Sequence, residues 1–267
     1  MGPYRLTFPI SADWFMSLAM SEDKLDTLVW ALEQTLPNKG PKRKHLKRTV
    51  VAILWRMRNG TPWRVIPGEL GPWWQAKQSF ARWATYGVWH RVLDRVRDVV
   101  GPDLEAAFLD GTVVRAHPKA AGAAGGAAAQ ALGRSRGGFG TKAMAVRDRH
   151  GRALAFALLP GQASELRATP GLLAVLPASI GWIVGDRGFS SGAFRRAIVQ
   201  RGALPVVSAY PTHPAVGYDR RWYRRRHLIE NLWARFKGWR CLATRDEKTA
   251  AAFLASLELA AAIDWIS

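Results

Sequence analysis

The chain carries a single cysteine, Cys241, in 267 residues. One thiol excludes an intrachain disulfide and any zinc site built from several cysteines. The sequence also lacks a run of 18 apolar residues free of charge, so no segment reads as a membrane span. The nearest approach, 250–265, is rich in alanine but broken by Glu258 and Asp264, and reads as a packed helix. No basic region, apolar stretch and cleavage site follow one another at the N-terminus, so no secretory signal is expected and the reading is an intracellular protein. Acidic side chains are scarce. Twenty Asp and Glu stand against 39 Lys and Arg, a formal net charge of +19. Such a surplus calls for a polyanion, and nucleic acid is a better fit than a membrane, for which no span is present.

What is present suffices for a core. Hydrophobic residues make up 48% of the chain, an ordinary value for a globular protein. The length suits one large domain, or a small one followed by a domain of about 150–170 residues. The periodicity favours the second division: a helical region over 1–100 and an α/β domain over 101–267.

In the first region, Ser21 caps an expected helix to Gln34. Leu46, Val50, Ile53, Leu54 and Met57 mark a second helix, whose first turns carry Lys42, Arg43 and Lys44. A third runs from Trp73 to Tyr86 and offers Gln75, Gln78 and Arg82, types that read base edges or hold phosphates. A fourth spans Val88 to Val99. Compact helices with short Gly/Pro breaks suit a helix-turn-helix type of DNA-binding module. A helical bundle that only supports the following domain explains the same pattern.

In the second region, the apolar run 106–109 reaches Asp110-Gly111 and continues to Arg115. A second apolar strand, 182–185, reaches Asp186-Arg-Gly188 in the same way. Asp-Gly is also a common turn pair, so each aspartate has an innocent reading. Between them, 119–133 is Ala/Gly-rich, and 119–140 is expected to be a mobile loop. Arg134, Arg136 and Lys142 follow, placed to grip phosphates. Residues 142–147 and 152–159 read as a hairpin, 165–176 as a helix interrupted near Pro170, and 204–208 as a strand held to an edge by Pro205. Thr244 to Glu247 has the form of a capping box for a last helix, 248–265. Strands alternating with helices in this order predict a mixed sheet. Ligands gather outside the carboxyl ends of such strands, which brings Asp110 and Asp186 side by side.

The stretch from Tyr223 to Lys237 has no Pro or Gly and reads as one helix. Tyr223, Arg226, Glu230 and Lys237 then fall within a face roughly 60° wide, backed by apolar Leu228, Ile229, Leu232, Trp233 and Phe236. A lone carboxylate among cations stays ionised. A solvated basic helix with an Arg226–Glu230 ion pair accounts for the same spacing. Three carboxylates, Asp110, Asp186 and Glu230, without His or Cys partners, form a hard-oxygen donor set for magnesium or manganese rather than zinc.

The spacing Tyr-x2-Arg-x3-Glu-x6-Lys at 223–237, with two aspartates upstream, resembles the signature of the bacterial insertion-sequence DDE transposases, most closely insertion-sequence family five. The likeness runs over about 42–265. It includes 55–64, 71–73, Leu109 to His117, 131–139, Gly185-Asp-Arg-Gly-Phe189 and 223–248. This resemblance implies an RNase H-like catalytic domain with Asp110, Asp186 and Glu230 as the metal-binding triad, holding two Mg2+ (or Mn2+) ions. It implies cleavage at terminal inverted repeats of double-stranded DNA and strand transfer into target DNA. Its further implications are a homodimer pairing two element ends, a bacterial, nucleoid-associated location, and no small-molecule substrate. Within it, Arg226 and Lys237 bind the element end or the scissile phosphate, and Tyr223 positions a phosphate or flipped base rather than acting as nucleophile. The short interval from Asp186 to Glu230 leaves no room for the large insertion of family four. Asn231 and Ser190 depart from the pattern, at positions that bear on substrate grip. A nuclease without strand transfer and a transposase-derived DNA-binding regulator are the rival readings.

Overall fold

The computed structural model of the chain describes residues 20–37, 45–209 and 217–267. The expected cations Lys42, Arg43 and Lys44 lie outside the described residues. Four helices open the fold: α1 (Glu22–Thr35), α2 (Leu46–Asn59), α3 (Trp73–Thr85) and α4 (Val88–Val100). The Ser21 hydroxyl accepts from the Lys24 amide and caps α1. Gly60 and Gly87, both left-handed, end α2 and precede α4, where a side chain would be strained. Helix α4 buries Val88, Trp89, Val92, Leu93 and Val96, the stripe that a helix presents to a core.

The remaining elements are β1 (Ala106–Ala116), α5 (Gly126–Ala129), β2 (Gly133–Ser135), β3 (Gly138–Arg147), β4 (Ala153–Pro160), α6 (Thr169–Ala174), β5 (Trp182–Gly185), α7 (Gly192–Gln200), β6 (Leu204–Val207), α8 (Arg220–Arg224), α9 (His227–Lys237), α10 (Arg240–Ala243), β7 (Thr244–Arg245) and α11 (Ala250–Ile266). The strands form one mixed sheet in the order β2-β3-β1-β5-β6, with β4 paired to β3 and β7 to β1. Strands β1, β3 and β4 pair antiparallel, whereas β1, β5 and β6 are parallel. The expected hairpin is β3–β4, and Pro205 sits in the edge strand β6.

One core runs through the helical region and the sheet. Helix α11 packs on α1, α3 and α4 and also on β4, and the Trp265 indole N–H donates to the Ala153 carbonyl at 2.7 Å. Arg56 of α2 and Glu247, both 5% exposed, form a buried ion pair across the same junction. The helical region therefore braces the sheet. Among the described residues no helix is long and apolar enough to cross a membrane.

The fold departs from the sequence pattern in three places. The Ala/Gly-rich segment, expected as a mobile loop, holds a 3-10 turn (Pro118–Ala120), α5 and β2. Gln130 pins it: its carbonyl accepts from Arg245, and its side-chain oxygen accepts from the Ala250 amide at 2.8 Å. The capping box at Thr244 is not one. Thr244 and Arg245 extend the sheet beside β1, Glu247 turns inward to Arg56, and Thr249 caps α11 through the Ala252 amide. The helix expected from Tyr223 to Lys237 is broken at 225–226 into α8 and α9. Buried Arg147 of β3 donates to the Arg225 carbonyl at 3.1 Å, occupying an acceptor at the break.

Candidate active site

Strand β1 is central, with β3 along one edge and β5 along the other for three residues only: Ala106, Ala107 and Phe108 face Trp182, Ile183 and Val184. Continuing that parallel register by two residues brings Asp110 level with Asp186. Beyond Phe108 the two strands part, and β1 meets its next partner on that edge, β7, at Arg115 and Ala116. The two aspartates thus lie at a notch in the sheet, at the carboxyl end of β5, where α/β sheets collect ligands.

Side chains alternate along β1, so Phe108 and Asp110 share one face. Helices α8 and α9 cover it: the Trp222 ring meets Phe108 at 6.2 Å between centroids, and Phe236 meets Phe156 of β4 at 5.8 Å. Past Trp222 the chain carries Arg226 toward Asp110. The half-buried Asp110 carboxyl is raised from 3.8 to about 6, first by burial and then by the charges of Asp186 and Glu165, while the Gly111 amide and Arg226 pull the other way. Asp186 accepts from the Gly188 amide at 2.7 Å, which fixes its rotamer in the turn after β5.

The third expected carboxylate, Glu230, is held by Arg226. The Arg226 Nη2 donates to Glu230 Oε1 at 3.0 Å, and the Glu230 side chain is 58% exposed. The i,i+4 pair anticipated from spacing is formed, and the same guanidinium acts electrostatically on Asp110.

The other expected residues divide by exposure. Tyr223 is half-buried, its hydroxyl 3.1 Å from Ser208 Oγ and its ring 5.0 Å from that of Tyr218. Lys237 is exposed in the last turn of α9, and Arg134 and Arg136 are exposed at β2 and the turn after it. Gln78 and Arg82 lie on the exposed face of α3, with Gln75 half-buried. Lys142 is only 15% exposed and is committed to an ion pair with Glu165 at 3.4 Å.

Glu165 is the member of this cluster that the sequence did not disclose. It opens a 3-10 turn (Glu165–Ala168) that packs against the 3-10 turn after Asp186 (Arg187–Phe189). Burial pushes its carboxyl up, Lys142 opposes, and Asp186 adds to the push. In the sequence Glu165 reads only as the start of a helix. No sequence signal singled it out: only in the structure is it clear that neither Gly111 nor Gly188 has a positive φ, so that neither is demanded by a left-handed turn.

The donor chemistry of Asp110, Asp186, Glu165 and Glu230 is that of a hard divalent cation. The space beside Gly111 and Gly188, which a Cβ would fill, admits the Glu165 carboxylate to the notch. Among the described residues no three such side chains are already drawn together at ligating distance.

Comparison with known proteins decides the family. The family described as "Transposase DDE domain" matches residues 101–265, and "Putative transposase of IS4/5 family" matches 26–93. The chain belongs to the IS4/5-type DDE transposases. A Brucella ovis protein, "Putative transposase for insertion sequence element IS6501", is 31% identical over 128 residues, covering 47% of this transposase and 98% of its relative. The Sinorhizobium fredii protein "Uncharacterized protein y4sN" is 37% identical over 91 residues, 33% of this chain and 69% of its own. No solved structure matches.

Proposed function

We propose that this transposase binds the terminal inverted repeats of an insertion sequence, cuts the DNA there and joins the freed 3′ end to target DNA. The observation that carries the reading is the meeting of Asp110 and Asp186 at the sheet notch of a chain with net charge +19. The strand order and the antiparallel β1–β3–β4 unit beside parallel β5 and β6 support an RNase H-like catalytic domain.

In this reading Asp110, Asp186 and Glu230 hold Mg2+ or Mn2+. When bound, two such ions activate the attacking oxygen and stabilise the leaving oxygen of an in-line phosphodiester displacement. The chain's own groups prepare the site. Burial and mutual repulsion leave the Asp110 carboxyl short of positive charge, so a cation is favoured there. Arg226 holds Glu230 in reserve on the α9 side, and release of that pair frees the carboxylate for the metal and the guanidinium for a phosphate. Lys237, Arg134 and Arg136 supply exposed positive charge for the DNA backbone. Tyr223, tied to Ser208, positions rather than attacks.

The test is Glu230→Gln, assayed for DNA binding by gel shift and for cleavage of a repeat-containing duplex with Mg2+. The reading requires binding to persist and cutting to cease. Cutting at the wild-type rate would remove Glu230 from the metal site. Binding by the wild type without cutting under any divalent metal would favour the regulator reading, for which the Arg226–Glu230 pair is the supporting observation.

A further inference from the structure

Gly111 follows Asp110 and Gly188 lies two residues past Asp186, neither with a positive φ that a turn would demand. A methyl group on Gly111 would lie 3.3 Å from Glu165 Oε1 and 2.5 Å from Met144 Sδ, and one on Gly188 would lie 3.0 Å from Glu165 Oε2 and 2.9 Å from Asp186 Oδ1. The two glycines thus clear one cradle, and the Glu165 carboxylate spans it. Met144 pairs with Gly111 and Lys142 with Val113, so Lys142, and Glu165 with it, approach from the sheet face opposite α8 and α9. Glu230 arrives from the other face, paired with Arg226.

We propose that Glu165 is a further carboxylate ligand of the metal site, closing on a divalent cation held by Asp110 and Asp186 through the notch where β1 and β5 part, with Lys142 as its resting counter-ion. This rests on the transposase reading of that site. It follows from position: Glu165 reaches the notch directly, 23% exposed, whereas Glu230 is largely solvated. The Lys142–Glu165 pair at 3.4 Å gives the carboxylate a resting counter-cation that a metal ion can replace.

The experiment is a Mn2+ titration of the full chain without DNA, read from the electron paramagnetic resonance signal of free Mn2+. Wild type, Asp110→Asn, Glu165→Gln and Lys142→Met are compared, with circular dichroism to confirm folding. Glu165→Gln is expected to weaken Mn2+ binding by about tenfold or more, and Asp110→Asn to weaken it too. Lys142→Met, which loses the ion pair and keeps the carboxylate, is expected to bind Mn2+ at least as tightly as the wild type. Should Glu165→Gln fold poorly, Glu165→Asp withdraws the carboxylate by one methylene at constant charge and is expected to weaken binding. Glu165→Gln binding within about twofold of wild type while Asp110→Asn fails would overturn the proposal and leave the transposase reading standing. Equal losses in Glu165→Gln and Lys142→Met would make the pair a structural bridge and overturn it as well. A wild type that takes up no Mn2+ would sink both.

Discussion

Replacing Asp110 by Asn should stabilise the metal-free protein. The carboxyl is raised from 3.8 to about 6 by burial and by Asp186 and Glu165. Between those pH values the folded state holds a proton that the unfolded state has released, so folding stability falls as pH rises through this window. A displacement of about two units corresponds to about 3 kcal/mol, since one unit is about 1.4 kcal/mol. Partial solvent screening reduces this, and a gain of about 2 kcal/mol for Asp110→Asn is expected at pH 7.5. The gain should vanish near pH 4, where the wild-type carboxyl is protonated in the folded state. Urea unfolding in EDTA, followed by circular dichroism at several pH values, measures it. Adding Mg2+ should shrink the difference, because the wild type gains binding energy that the variant cannot use. An Asp110→Asn protein no more stable than wild type at pH 7.5, or a difference independent of pH, would refute the claim that uncompensated carboxylate charge is concentrated at the notch.

Other perturbations probe the frame around the site. Removing one partner of the buried Arg56–Glu247 pair, as in Glu247→Leu, should cost about 3–5 kcal/mol in urea unfolding, and the double variant Arg56→Met/Glu247→Leu should recover much of it. Arg147→Met should cost about 1.5–3 kcal/mol through its lost hydrogen bonds and lower cleavage further by freeing the α8–α9 break at the Arg225 carbonyl, both read on one preparation. Gly140→Ala would place a methyl 2.5 Å from the Val114 carbonyl oxygen, so loss of more than about 2 kcal/mol is expected in thermal or urea unfolding. Tyr223→Phe should retain cleavage, and denaturing gels of the wild-type reaction should show no covalent protein–DNA adduct.

The sequence made the sheet and its aspartates legible because local signals governed them. Apolar runs ending at Asp110 and Asp186 made strands, and the parallel register of β1 and β5 then aligned the two acids without further information. What stayed hidden depended on distant partners. Arg147 lies far along the chain from the Arg225 carbonyl it binds, so an uninterrupted helical pattern gave no hint of the break. Glu247 has the spacing of a capping residue, but burial against Arg56 outweighs a cap that Thr249 supplies instead. Gln130 secures an Ala/Gly segment whose composition alone argues for a loop. Glu165 shows the same limit: its relation to Asp110 and Asp186 is made by two short turns meeting across the notch, beside Gly111 and Gly188.

A metal-dependent DNA-cutting site at the notch has a simple requirement: cleavage must depend on both the metal and Asp110. The most direct measurement is strand cleavage of a labelled duplex bearing the inverted repeat that flanks this chain's gene, with Mg2+, for the wild type beside Asp110→Ala. Cutting at the repeat boundary that needs Mg2+ and is absent in Asp110→Ala, with DNA binding intact in both, is the predicted result. Cutting that survives in Asp110→Ala, or tight binding with no cutting under Mg2+ or Mn2+, would contradict it.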